Sequence, residues 1–277
     1  MTTASIIGLG WIGEPLALHL QEKGFQVLGS TTSAEKQEIL SQKGLQAIRF
    51  SLNPHPAGIG FNALFQSEIL VVNIPPRTRS GNGAFHLEQI KYLRSLIDNS
   101  PIRNVIFVSS TGVYPEVTFI EKYGEDFPIS VENAGNDTIF RAEQLMAKDR
   151  NYDLTIMRFG GLMGDDRVPG KYFSGKEHVA GHTRVNFIHR KDAVRMLAWV
   201  MEKELWNDTF NGVAPIHPLR RDIYEKSAAD LGIVPPASYQ NESEGKDRLI
   251  DSRKILNTGF EFEFPDPLEF SYLPQRQ

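Results

Sequence analysis

The stretch "SIIGLGWIG", residues 5–13, decides the fold. Ser5-Ile6-Ile7 is a short apolar run, and three glycines follow at G-x-G-x-x-G spacing, at positions 8, 10 and 13. Beyond them Leu16, Leu18 and Leu20 stand among polar residues up to Gly24, which predicts a strand, a tight turn and a helix. Each glycine has its own use. Gly8 permits the turn, Gly10 lets a ligand phosphate approach the backbone, and Gly13 lets helix and strand pack closely. The helix start, with unpaired N–H groups and a positive end, then faces the phosphates. Trp11 and Ile12, inside the loop, therefore join the glycines as candidate contacts for a dinucleotide. The spacing alone is weak, and its place between strand and helix gives it meaning.

The alternation continues. Strands are expected at 25–30, 45–51, 67–76, 104–110 and 153–159, with helices at 33–44, 84–99 and 137–148 between them. Most of these strands are apolar on both faces, as in a parallel sheet covered by helices on either side. The expected fold is a doubly wound parallel α/β sheet of the Rossmann type, with a smaller C-terminal substrate lobe. The loop 53–60 reads as irregular, and so does "GGLMGDDRVPGKYFSGKE", 160–177. A helix at 192–203 with Asp192 as its N-cap, a strand at 208–214 and a helix at 219–232 follow. Residues 1–163 are expected to form the dinucleotide core and 164–277 the lobe, with 185–214 contributing to the core.

Composition narrows the function. The 277 residues carry 30 basic and 34 acidic side chains, and the net charge of −4 gives no reason to expect nucleic acid. There are no cysteines, which removes disulfides, thiolate metal sites and cysteine nucleophiles. The start "MTTASIIGLG" has no basic region leading into a long apolar core, so neither signal peptide nor anchor is expected. No run approaches the roughly 18 apolar residues of a membrane helix. A cytoplasmic protein with a small-molecule substrate and no membrane partner is the expectation.

Where the second strand ends, an NAD-preferring site usually carries an acid for the ribose hydroxyls. This chain has Ser30, Thr31, Thr32 and Ser33 there, with Lys36 close behind. A carboxylate would repel a 2′-phosphate, whereas hydroxyls and N–H groups accept one, so NADP is preferred over NAD. Ser33 also reads as a helix cap.

The ordered motifs "GLGWIG" (8–13), "SSTGVYP" (109–115), "LTIMRFGGLMGDDR" (154–167) and "VNFIHRKDAV" (185–194) resemble the extended and atypical short-chain dehydrogenase/reductase superfamily. The resemblance covers nearly the whole chain and is strongest to the group labelled NAD-dependent epimerase/dehydratase. It implies a Rossmann core with a lobe over the nicotinamide end. It also implies that the backbone of Ile74, Pro75 and Pro76 passes under the nicotinamide ribose, with Ser109 beside the cofactor and Ser110 as the family's serine. The family's chemistry further uses a tyrosine as acid or base and a lysine four residues later. Taking Glu143 as the anchor of a Y-x-x-x-K-x-x-x-E pattern places Gly135 at the tyrosine and Ile139 at the lysine, so the dyad is missing from its slot. Tyr172 and Lys176 do have the spacing, but between glycines and after the sixth strand, where the match reads as coincidence.

Tyr114 is the substitute proton donor closest to Ser110, although a ring packed beneath the loop explains it equally well. Arg77 and Arg167 are candidate contacts for an anionic substrate, or exposed loop charges. His189 reads as a satisfied structural histidine, and no metal-ligand spacing is present. The expected function is hydride transfer or epimerisation on a small hydroxyl- or carbonyl-bearing, sugar-like substrate with NADP or NAD. The alternative is a dinucleotide-binding sensor or regulatory protein that has lost catalysis.

Overall fold

The computed structural model describes residues 2–76, 83–116, 122–241 and 248–272. The chain opens with β1 (Thr3–Ile7), α1 (Gly13–Glu22), β2 (Gln26–Thr31), α2 (Ala34–Gln42) and β3 (Gln46–Arg49). A short antiparallel pair, β4 (Ser51–Asn53) and β5 (His55–Ala57), precedes β6 (Ile69–Val72) and α3 (Gly83–Asp98). Next come β7 (Asn104–Ser110), α4 (Asp137–Ala147), β8 (Asp153–Phe159) and β9 (Gly161–Met163). The chain continues with β10 (Phe187–His189), α5 (Arg190–Glu202), β11 (Thr209–Gly212), α6 (Arg220–Leu231) and α7 (Arg253–Leu256).

Seven strands form one sheet in the order β11-β8-β7-β6-β1-β2-β3. β1 pairs in parallel with both β2 and β6, so the winding reverses between β1 and β6. Ligands of such sheets bind outside the carboxyl ends of the strands at that reversal. One face packs Ile7, Leu70, Val72, Val105 and Phe107 against Ile90, Leu93 and Ile97 of α3 and Met146 of α4. Each such side chain contributes about 1.5–3 kcal/mol by leaving water. The doubly wound parallel sheet expected from the sequence is therefore the observed fold.

The chain divides into two compact units. The first comprises residues 1–115, 128–158 and 194–210, and the second 116–127, 159–193 and 211–277. Within the second unit β9 and β10 pair in parallel, and the segment expected to be irregular also contains a 3-10 turn, Pro169–Phe173. Likewise 53–60 is not wholly irregular, because Leu52 pairs with Pro56 across the β4–β5 hairpin. Asp192 is not the N-cap of its helix. α5 begins at Arg190, and the buried Asp192 carboxylate accepts the backbone N–H groups of Glu263 (2.8 Å) and Phe264 (2.9 Å). A carboxylate with two such donors is a clamp on a distant segment, which sequence spacing does not reveal.

Candidate functional site

The glycine loop is built by close approach. Gly8 has φ +102°, and a Cβ there would lie 2.6 Å from the Asn73 carbonyl oxygen, so a side chain is excluded twice over. A Cβ on Gly13 would come within 2.1 Å of the Gly8 oxygen. Gly10 differs: it is exposed, and a Cβ would meet nothing within 4 Å. The space over Gly10 thus lies open, while its two partners are closed by the fold. No side chain caps the start of α1, where Ile12 is the flanking residue. An open glycine beside an uncapped helix start of positive potential fits a pyrophosphate. Ile12 is buried and Trp11 half-buried.

The loop is tied to the second strand. Ser30 Oγ accepts the Gly8 N–H (2.9 Å), and the Ser30 carbonyl accepts the Leu9 N–H (2.7 Å). Ser30 is 3% exposed and Thr31 is also buried, so Ser30 holds the loop from within rather than presenting its side chain at the surface. Thr32 is exposed, and Ser33 Oγ accepts the Lys36 N–H, capping α2 as expected. Lys36 is not a free charge at this edge. Its Nζ and that of Lys43 both bond the carboxylate of Glu14 in the first turn of α1. Burial pushes the Glu14 carboxyl up, but the two lysines outweigh it and hold it below the usual carboxylate range.

Asn73, directly after β6, donates from Nδ2 to the Gly8 carbonyl (3.2 Å) and fastens the loop from the other side of the reversal. Ile74 packs against the core, Pro75 is exposed and Pro76 half-buried.

The end of β7 carries the serines. Ser110 Oγ accepts the Gly112 N–H (3.1 Å), and its own O–H has no acceptor among the described residues. Ser109 points elsewhere, donating to Glu143 Oε1 (2.5 Å). Glu143, 1% exposed, is gripped by Arg158 through Nε (3.0 Å) and Nη2 (2.7 Å). Arg158 Nη1 also donates to the hydroxyl of Tyr114, which is fully buried (2.9 Å). Burial alone would lower the Arg158 pKa, but Glu143 and Tyr114 raise it beyond the ordinary arginine value, so the guanidinium stays charged. Tyr114 therefore belongs to an internal ion-pair network, the packed alternative among the two expected for it.

Gly135, where the sequence pattern places the tyrosine, has no room for a side chain. A Cβ on Gly135 would lie 2.1 Å from the Tyr114 carbonyl oxygen and 2.9 Å from that of Gly112. Gly135 donates its N–H to the Val113 carbonyl (3.0 Å), and it precedes α4, whose N-cap is Asn136. Ile139 is 8% exposed, so a lysine ammonium there would be buried.

The remaining candidates belong to other segments. Arg77 falls outside the described residues. Arg167 is exposed on a tight turn, exchanging backbone hydrogen bonds with Gly164 in the second unit. Tyr172 is exposed on the Pro169–Phe173 turn, and Lys176 Nζ lies over the Phe173 ring. His189 is only half satisfied: Nδ1 accepts the Lys191 N–H, whereas the buried Nε2 has no partner among the described residues. Among those residues no group of three or more metal-ligating side chains is assembled, and no helix is long and apolar enough to cross a membrane.

Sequence reasoning missed Asn73, Glu14 and Arg158. A charged residue within the apolar strand "DLTIMRF" was the available signal for Arg158, since a buried charge requires a partner.

The family model for the NAD binding domain of 6-phosphogluconate dehydrogenase matches residues 3–57. The chain is 33% identical over 273 residues to protein YeeZ of Escherichia coli K12, covering 97% of this chain and 98% of that one. Two solved structures share the fold. The Bordetella bronchiseptica enzyme WbmH, in complex with NAD+, aligns with a TM-score of 0.80 at 16% identity, over 97% of this chain and 95% of that one. Human epimerase family protein SDR39U1, with NADPH, aligns with a TM-score of 0.70 at 16% identity, over 96% of each.

Proposed function

Because the chain belongs to the family of E. coli protein YeeZ, within the epimerase/dehydratase-like short-chain dehydrogenase/reductase superfamily, we propose that it is an NAD(P)(H)-dependent enzyme. It acts on a small hydroxyl- or carbonyl-bearing substrate by hydride transfer or epimerisation, and NADP(H) is the preferred cofactor. The observation that carries this is the open face of Gly10 between the closed glycines 8 and 13. The backbone of 8–13 would hold the pyrophosphate, and Thr32 would face the adenosine ribose. When bound, the nicotinamide supplies the hydride chemistry. Ser110 orients the substrate oxygen by donating its O–H. The proton comes from a group other than the side chains at 135 and 139.

The test is a titration with NADPH and NADH, followed by tryptophan fluorescence and melting temperature, then turnover on a sugar and alcohol panel. Binding with turnover that Ser110→Ala slows strongly supports an enzyme. No response to either dinucleotide refutes the proposal.

The closed slot at Gly135 favours a second reading, a dinucleotide-binding regulatory protein without catalysis. It predicts tight binding, no turnover, and no loss of binding on Ser110→Ala.

A further inference from the structure

We infer that Arg49 is the specificity residue for a phosphate monoester on the adenosine ribose, so that the site selects a 2′-phosphorylated dinucleotide. This rests on the dinucleotide proposal above and adds to it the residue that discriminates. β2 and β3 run in parallel with Thr31 opposite Arg49, and the Phe50 N–H donates to the Thr31 carbonyl (2.9 Å). Neighbouring strands lie about 4.8 Å apart, which puts the Arg49 backbone beside the chain where it leaves the sheet for Thr32.

Side chains alternate along a strand, so Arg49 shares its face with Ala47 and, across the register, with Thr31 and Gly29. Leu28 and Ile48, on the opposite face, pack against the cluster that includes α3, so Arg49 lies on the other face, where a Cβ on Gly29 would strike Leu9 of the glycine loop. Arg49 is exposed and has no carboxylate partner among the described residues.

The surrounding charges agree. Residues 29–34 include no acid, so the carboxylate that would hold free ribose hydroxyls and repel a phosphate is missing. Glu14 is matched by two lysines, leaving one positive charge in surplus beside the loop. Glu35, in the first turn of α2, is exposed and its field is screened by water. Lys36 is nearer in sequence to Thr32 but spends its charge on Glu14. Among the described residues the Arg49 guanidinium has no carboxylate partner, and its planar fork matches phosphate oxygens.

Binding of NADPH, NADH, 2′,5′-ADP and 5′-AMP to the full chain, measured by calorimetry for wild type, Arg49→Gln and Lys36→Gln, tests the assignment. Wild type is expected to prefer NADPH and 2′,5′-ADP over their unphosphorylated counterparts. Arg49→Gln should weaken the phosphorylated pair by about 10- to 100-fold while NADH and 5′-AMP change by less than about threefold, the scale of one charge-assisted contact. Lys36→Gln should keep the preference. Equal wild-type affinity for NADPH and NADH overturns the inference, as does a preference that survives Arg49→Gln or vanishes with Lys36→Gln. In each of those cases dinucleotide binding itself stands. If neither dinucleotide binds, the underlying proposal fails as well.

Discussion

Gly135→Ala tests whether the family's tyrosine position is merely vacant or physically shut. The backbone does not demand glycine there, since Gly135 is not among the residues with positive φ. The obstacle is steric. The new methyl carbon would sit 2.1 Å from one carbonyl oxygen and 2.9 Å from another, and both belong to the rigid turn after β7. Neither is the movable end of a side chain, so the turn or the start of α4 must shift. Overpacking of this kind costs about 1–3 kcal/mol. The shift also weakens the Gly135 N–H bond to the Val113 carbonyl, worth about 1 kcal/mol. Against this, alanine stiffens the unfolded chain and returns about 0.4–1 kcal/mol. The net loss is about 2 kcal/mol, or a melting temperature lower by about 3–4 °C in a chain of this size. Thermal melts followed by circular dichroism measure it. A melting temperature equal to or above wild type refutes the reasoning. A companion variant, Gly135→Tyr with Ile139→Lys, restores the sequence pattern and is expected to lower stability without raising turnover above wild type. A gain of dehydrogenase activity would show the slot to be open.

Arg158→Met should strand the Glu143 carboxylate in the core and cost about 3–5 kcal/mol in urea unfolding, with a good part regained by adding Glu143→Leu. An equal loss in the single and double variants would argue against a mutually dependent pair. At the loop, Gly10→Val should leave the melting temperature unchanged yet abolish dinucleotide binding, whereas Gly13→Ala should itself destabilise, because Gly13, unlike Gly10, is packed against backbone. His189 predicts a pH effect: burial pushes its pKa from 6.5 down to about 4, so unfolding takes up a proton that the native ring resists. Stability is fully present above pH 6.5, falls as pH drops towards 4, and the total loss is about 3 kcal/mol. Urea midpoints at pH 7 and 4.5 should therefore differ less in His189→Gln than in wild type, and equal differences would refute it.

The sheet was legible because its central strands are buried on both faces and two of its helices carry local caps. β6, "ILVV", is buried at every position, and Ser33 and Asn136 cap their helices within three residues. Such signals are local, and a sequence displays local signals. Long-range pairings were not legible. β9 meets β10 across an intervening loop, and Asp192 clamps amides at 263 and 264, so its position near a helix start was misleading. Arg158 was hidden for a related reason: a strand pattern identifies the charge but not the buried Glu143 that makes it tolerable.

The site shows the same division. The sequence displays the three glycines but not that two are closed and one is open, since that depends on Asn73 and on the loop's own fold. It displays glycine where a tyrosine is expected but not the carbonyls that exclude a side chain there. That changes the meaning of the lost dyad. A tyrosine lost by substitution alone would leave a cavity that a reverse substitution could refill. Here the turn after β7 and the lead into α4 occupy the space, with Gly135 bonded to Val113 and Tyr114 drawn inward by Arg158. Backbone and core have settled around the absence. A side chain at 135 is therefore not available for proton transfer, and Ser110, whose O–H has no acceptor among the described residues, is the group at the strand end where a different approach can be tested.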